Sequence, residues 1–203
     1  MYKHIVFDVD GTLINTQNAI INALKDTLKI LTNKTYETSE LLFVLGITGL
    51  AALEKLKIEN PNVALKLWEE KMDEYKNSIC IFDGIEDLLE NLKEKYTLGI
   101  VTSKTKDEFK KDFSYFNLDK YFKIIICADD TTHHKPNPEP LIKYMESANQ
   151  KNILYIGDSV YDKMCADGAN VDFAFAKWGN ENENLKGKYC LNHPLELIKF
   201  LEK

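Results

Sequence analysis

The sequence predicts an α/β fold, a doubly wound parallel sheet with an inserted all-helical domain, and three patterns carry that expectation. Short apolar runs rich in Ile, Val, Tyr and Phe recur at Lys3 to Val9, Thr97 to Thr102, Lys123 to Cys127, Asn152 to Gly157 and Asp172 to Ala176. Such runs suit strands buried on both faces of a parallel sheet. Helical patterns separate the last four, which is the alternation of βαβ units. The gap between the first two runs is much longer and reads almost wholly as helix.

In chain order, the first strand passes straight into Phe7-Asp8-Val9-Asp10-Gly11-Thr12-Leu13. Asp is a poor strand former, so packing does not explain this acidic pair; the structural alternative is a turn or a helix cap. Residues 15–80 are expected to form the helical insertion, with residues 1–14 and 81–203 making the α/β core. One stripe of the insertion is Ile20, Ile21, Leu24, Leu28 and Leu31 and another is Val63, Leu67, Met72 and Tyr75, at amphipathic-helix steps. The chain returns through Phe82-Asp83-Gly84, where glycine suits a turn. Helices are then expected at Glu86 to Tyr96, at Pro140 to Ala148 and at Tyr161 to Ala169.

Length allows one large domain, or one domain with a small insertion, at ~150 residues per domain. Hydrophobic residues make up 44% and charged residues 29%, ordinary values for a globular protein. No apolar run approaches the ~20 residues of a membrane-spanning helix. Asp8 and Asp10 interrupt the apolar start, unlike a secretion signal. A cytoplasmic protein with no membrane partner is expected. Cys80, Cys127, Cys165 and Cys190 show no C-x-x-C spacing and are expected to be reduced core thiols. A formal charge of -6 argues against nucleic-acid binding. It leaves room for a small anionic ligand met locally by a metal and a lysine or two. Nothing indicates an oligomeric state.

In an open α/β sheet, ligands bind beyond the carboxyl ends of the strands, where strand order reverses. The chemically distinctive residues sit at those ends. The run ending at Gly157 leads into Asp158 and Asp162, four apart and on one face if a helix starts there. An N-cap Asp158 with a favourable acid in the first turn is the structural alternative. With Asp8 and Asp10 aimed into the same crevice, four carboxylates repel one another unless a cation holds them. Oxygen ligands without His or Cys select Mg2+. Thr102 and Ser103 offer hydroxyls and amides at a strand-to-helix turn, an anion site or simply a cap. Lys135 lies in a loop stiffened by Pro136 and Pro138, a better candidate for a fixed charge than an ordinary surface lysine. His133 and His134 are assigned no role.

Together D-x-D-G-T-L at 8–13, Thr102 at a strand end, K-P-x-P at 135–138 and G-D-S-x-x-D at 157–162 resemble the haloacid dehalogenase superfamily in order and spacing. The insertion is similar to the cap of the branch that holds phosphoglycolate phosphatases, β-phosphoglucomutases and phosphonatases. The resemblance implies a Rossmann-like core with Asp8 as nucleophile and Asp10 as general acid and base. It implies Gly11, Thr102, Ser103 and Lys135 around the phosphate, and Asp8, Asp10, Asp158 and Asp162 at Mg2+. The implied activity is hydrolysis of a small phosphorylated metabolite through an aspartyl-phosphate. Dehalogenases of the family lack the second aspartate of the first motif, whereas Asp10 is present. In Leu45-Gly46-Ile47-Thr48-Gly49, similar to the family's specificity loop, Gly49 stands where phosphonatases carry a lysine and the mutases an arginine. Gly46 and Gly49 are expected to border the substrate. The alternatives are a phosphomutase, which Gly49 disfavours, and a non-catalytic binder, which the filled motif positions disfavour.

Overall fold

A computed structural model of the chain describes residues 1–180 and 184–202. It begins with β1 (His4–Phe7) and the two-residue β2 (Ile14–Asn15). Helices α1 (Gln17–Thr32), α2 (Thr38–Leu41), α3 (Gly49–Lys55) and α4 (Pro61–Tyr75) follow, then β3 (Cys80–Ile81). Next come α5 (Ile85–Leu92), β4 (Thr97–Val101), α6 (Lys106–Phe113), β5 (Ile124–Ile126) and α7 (Glu139–Ala148). The last elements are β6 (Ile153–Gly157), α8 (Val160–Gly168), β7 (Asp172–Ala176), β8 (Tyr189–Leu191) and α9 (Glu196–Leu201).

Six strands form one parallel sheet in the order β5-β4-β1-β6-β7-β8. The chain works outward from β1 through β4 to β5, crosses back to β6 on the far side of β1, and works outward again. Strand order therefore reverses at β1, where open sheets bind ligands. Register aligns the strand ends: Phe7 lies opposite Ile100 of β4 and Ile156 of β6. Asp8, Thr102 and Asp158 thus emerge from one edge.

The uninterrupted apolar runs are explained by burial on both faces. Ile5 and Phe7 of β1 pack with Leu88 and Leu89 of α5, Phe113 of α6 and Leu197 of α9. Val6, pointing the other way, packs with Leu141 and Tyr144 of α7 and Cys165 of α8. The insertion has a third core, in which Ile21, Leu24 and Leu28 of α1 meet Leu53, Ala64 and Trp68. It leaves the core at β2 and returns at β3, and these pair antiparallel, Ile14 with Ile81 and Asn15 with Cys80. Both crossings are therefore tied together.

Three local expectations need correction. Val63 is 64% exposed, and the face of α4 turned to α1 is Ala64 and Trp68, flanked by Leu65, Met72 and Tyr75. Pro61 at the helix start sets this phase, and the partner helix, not local periodicity, chooses among several apolar positions. Leu31 is also exposed, near the end of α1. Of the thiols, Cys127 and Cys165 are buried but Cys80 is exposed on the short β3 ribbon. The edge strand β8 is not readable from the sequence because three residues carry too little pattern.

Candidate active site

Asp8 continues β1 by one residue, its amide donating to the Ile156 carbonyl at 2.8 Å. Its side chain is buried, and Lys135 Nζ lies 2.7 Å from Asp8 Oδ1 and 2.7 Å from Asp162 Oδ1. The loop lysine is therefore a buried ammonium shared by the strand-end carboxylate of Asp8 and that of Asp162 in the first turn of α8.

Asp162 is heavily engaged. Its Oδ1 accepts from Lys135 and lies 2.8 Å from the Tyr155 hydroxyl, whose single proton also faces the Val101 carbonyl at 3.0 Å; its Oδ2 accepts from the Ser159 amide at 3.0 Å and the Ser159 hydroxyl at 2.5 Å. A carboxylate offers about four lone-pair sites, so three are taken and the fourth is contested. Ser159, not Asp158, is the N-cap of α8, and with Asp162 it closes a reciprocal capping box. Asp158 is released from capping and faces the centre, with the Thr12 hydroxyl 3.4 Å from its Oδ1. Asp8, Asp158 and Asp162 each offer an oxygen within 4.8 Å of the others. Gly11 makes this approach possible: its φ is +80°, and a Cβ there would lie 2.4 Å from Asp158 Oδ2.

Three buried carboxylates thus share one ammonium. Burial pushes Asp8 up to about 7 despite Lys135, with Asp162 and Asp10 adding to the rise. Burial, then Asp162 and Asp8, push Asp158 well above the usual carboxylate range. Burial works against the Lys135 charge, but Asp162 and Asp8 outweigh it and hold the ammonium protonated. Surplus negative charge among oxygen-only donors fits a hard divalent cation. Asp8 and Asp158 have the donor capacity for it, whereas both oxygens of Asp162 are already engaged by Lys135 and Ser159.

Asp10 lies apart from this trio. Its Oδ1 is 3.2 Å from Lys104 Nζ, without hydrogen-bond alignment. Lys104 is a buried residue that sequence reasoning passed over, and its Nζ also contacts Asp112 Oδ2 at 2.8 Å. Burial opposes its charge, while Asp10 and Asp112 more than restore it. The segment Lys104-Thr105-Lys106-Asp107-Glu108-Phe109-Lys110-Lys111-Asp112 is so crowded with charge that no local signal selects this pair. The Thr102 hydroxyl, also buried, accepts the Lys104 amide at 3.2 Å.

The helical insertion closes over this edge. Ser103 Oγ donates to the Gly46 carbonyl at 3.0 Å, and the Tyr161 hydroxyl donates to the Phe43 carbonyl at 3.1 Å. Gly46 has φ +91°, and a Cβ there would meet Ser159 Oγ at 2.7 Å. Between the two parts lies a cavity of about 450 Å³ reached by Asp8 and Asp10, with Gly46, Gly49 and Ser103 in its wall. Sequence-predicted residues of both parts thus meet: Asp8, Lys135, Asp158 and Asp162 in the buried centre, the others around it.

A sequence model described as haloacid dehalogenase-like hydrolase matches residues 5–176. The chain belongs to this family. Pyrophosphatase PpaX of Oceanobacillus iheyensis is 29% identical over 201 residues, covering 97% of this chain and 94% of that protein. A solved structure from Lactobacillus plantarum, provisionally named a phosphoglycolate phosphatase, superposes with a TM-score of 0.90 at 30% identity over 98% of this chain and 99% of that one. A predicted phosphatase from Clostridium acetobutylicum gives 0.86 at 27% identity over 100% of both chains. As a haloacid dehalogenase-like protein the chain is an enzyme, a hydrolase of the phosphatase type, and the expected fold stands. Among the described residues no helix is long and apolar enough to cross a membrane.

Proposed function

We propose that this hydrolase cleaves a small phosphate monoester through an aspartyl-phosphate on Asp8, with Mg2+ as its cofactor. The supporting observation is the buried pair of Asp8 and Lys135, 2.7 Å apart at the point where strand order reverses, with Asp158 facing it. Mg2+ held by Asp8 and Asp158 would supply the charge that offsets repulsion between a carboxylate and phosphoryl oxygens. We read the location as cytoplasmic, in keeping with four free cysteines.

Each residue then has a defined duty. Lys135 fixes one oxygen of Asp8 and neutralises part of the charge brought by the phosphate. Asp162 holds Lys135 in place and locks the start of α8, a positioning role that needs no contact with the metal. The Thr102 hydroxyl accepts the Lys104 amide and keeps its proton for a phosphoryl oxygen. Asp8 attacks phosphorus, the bond to the leaving oxygen breaks, and Asp10 protonates that oxygen. Asp10 then takes a proton from the water that attacks the acyl phosphate, which returns Asp8 and frees inorganic phosphate. Lys104 steadies Asp10 for both steps.

Turnover of p-nitrophenyl phosphate with and without chelator, in wild type and in two variants, tests this reading. Chelation should abolish release of phosphate. Asp8→Asn should eliminate turnover and covalent labelling, because an amide cannot form the acyl phosphate. Asp10→Asn should slow turnover by ~10²-fold or more yet still accept a phosphoryl group from this good leaving group. Rapid-quench mass spectrometry should then find ~80 Da on the peptide containing Asp8. Wild-type turnover in Asp8→Asn, or a label on Ser103, would overturn the assignment.

A further inference from the structure

Resting on the phosphatase reading above, we infer that the enzyme selects monoesters whose alcohol portion is uncharged or cationic and has an extended apolar surface, as in a nucleoside, and that Glu69 sets this choice. The cavity beyond Asp8 and Asp10 is the place where that portion must lie, and its walls are unsuited to a second anion.

The side formed by the insertion is apolar, built from Ile47, Leu65, Trp68 and Met72. The Trp68 indole is pinned there by its Nε1, which donates to the Ile20 carbonyl at 3.2 Å. Cavities that bind organic ligands are lined in this way, by apolar side chains with a few placed polar groups. A second phosphate or a glycolate carboxylate would leave most of the about 450 Å³ unfilled against these side chains.

The polar group placed among them is Glu69, the neighbour of Trp68 on α4. It is partly buried and lines the same cavity, yet it makes no hydrogen bond or ion pair with any described residue. Burial, and then the nearby Glu108, raise its proton affinity, and together they outweigh the opposing pull of Lys111 and Lys66. Both lysines of the described cavity wall already face carboxylates, Lys104 in a buried arrangement and Lys111 at the surface. Lys104 is held between Asp10 and Asp112, and Lys111 pairs with Asp73 at 2.8 Å. Asp107, Glu108 and Asp129 also line the cavity and add negative potential. An alcohol portion that is itself anionic meets Glu69, Asp107, Glu108 and Asp129, against Lys111 as the one half-exposed cation of the described wall, whereas an amine or hydroxyl donor satisfies the Glu69 carboxylate. Like charges placed together are how sites reject wrong partners. The relatives named above suggest pyrophosphate and phosphoglycolate, and both carry such a second anion; the cavity argues for a different substrate here.

The test uses the full chain with Mg2+ and compares kcat/KM for adenosine monophosphate, phosphoglycolate and pyrophosphate, with p-nitrophenyl phosphate as the neutral reference. Adenosine monophosphate should exceed each of the two anionic substrates by roughly 10-fold or more. Glu69→Lys should shift that ratio by a further ~10-fold or more toward the anions, mostly through KM, with Glu69→Gln between. The ratio is read within each variant, and circular dichroism confirms that each is folded. Preference of the wild type for either anion, or a ratio unmoved by Glu69→Lys, overturns the inference while leaving the phosphatase reading intact. Failure to turn over even p-nitrophenyl phosphate would bring down that reading and the inference with it.

Discussion

The reaction centre and the cavity beside it use the same residue types on opposite terms. In the centre each lysine is matched to two carboxylates: Lys135 to Asp8 and Asp162, Lys104 to Asp10 and Asp112. In the cavity Glu69 stands beside apolar side chains, with no hydrogen bond or ion pair among the described residues and only the longer-range pull of Lys111 and Lys66. A buried charge must be paired or it destabilises the fold by several kcal/mol, so the positions in the centre constrain one another. A partly solvated carboxylate carries no such obligation. The centre is consequently the part whose pattern is readable across a family, and the cavity wall is where one member can differ from another.

The strongest way to break that comparison is to remove the two ammonium groups separately. Lys135→Met leaves Asp8 and Asp162 buried without a cation, since the lysine side chain is 1% exposed and its partners 4% and 0%. Turnover should fall by ~10³-fold or more, and metal-free protein should lose roughly 3–5 kcal/mol in denaturant unfolding. Lys104→Met should cost less, about 10-fold in kcat, because Asp10 and Asp112 retain some access to water at 19% and 15%. Equal effects would mean that the pairing in the centre is not graded by burial.

A second measurement sharpens the contrast through pH. Asp8 is pushed up to about 7 and Asp158 is raised as well. Their folded-state proton affinities exceed those of the unfolded chain, ~3.9 for Asp. Their contribution is therefore fully favourable below about pH 4 and is lost as pH rises toward 7 in cation-free protein. A divalent cation that binds the ionised forms should restore what is lost. The rise in Tm on adding Mg2+ should thus be near zero at pH 5 and grow to on the order of 5 °C above pH 7. A rise independent of pH would detach Asp8 and Asp158 from the metal.

The smallest expected effect lies at the seam between the two regions. Tyr161→Phe removes the hydroxyl that donates to the Phe43 carbonyl and takes Lys55 Nζ at 3.3 Å. The expected loss is ~1 kcal/mol of stability, with a modest rise in KM for any substrate and little change in kcat. Calorimetry and steady-state kinetics on the same preparation check both.

Much of this was legible without coordinates, for local reasons. Apolar runs separated by helical periods imply a layered sheet, and Asp8, Asp10, Asp158 and Lys135 stood out because each breaks a local rule that packing would enforce. The helices between Gln17 and Tyr75 were legible from the long first gap. Less local features were not. The buried face of α4 could not be told from periodicity, since Val63 and Ala64 are both apolar and only contact with α1 separates them. Asp158 and Asp162 looked equivalent as acids, but Ser159 caps α8 and consumes one oxygen of Asp162 while Asp158 stays available.

By itself, then, the sequence determined the layered architecture, the sheet edge where the candidate site gathers and the residue types found there, because strand pattern and strand-end motifs are properties of neighbouring residues. Only the tertiary structure decided which charges pair, that Lys104 lies against Asp10, that Asp162 holds Lys135, and that Glu69 lines the cavity with no hydrogen bond or ion pair among the described residues. Those outcomes depend on distances between side chains far apart in the chain and on how deeply each is buried, and burial is what turns a surface charge into an energetic obligation.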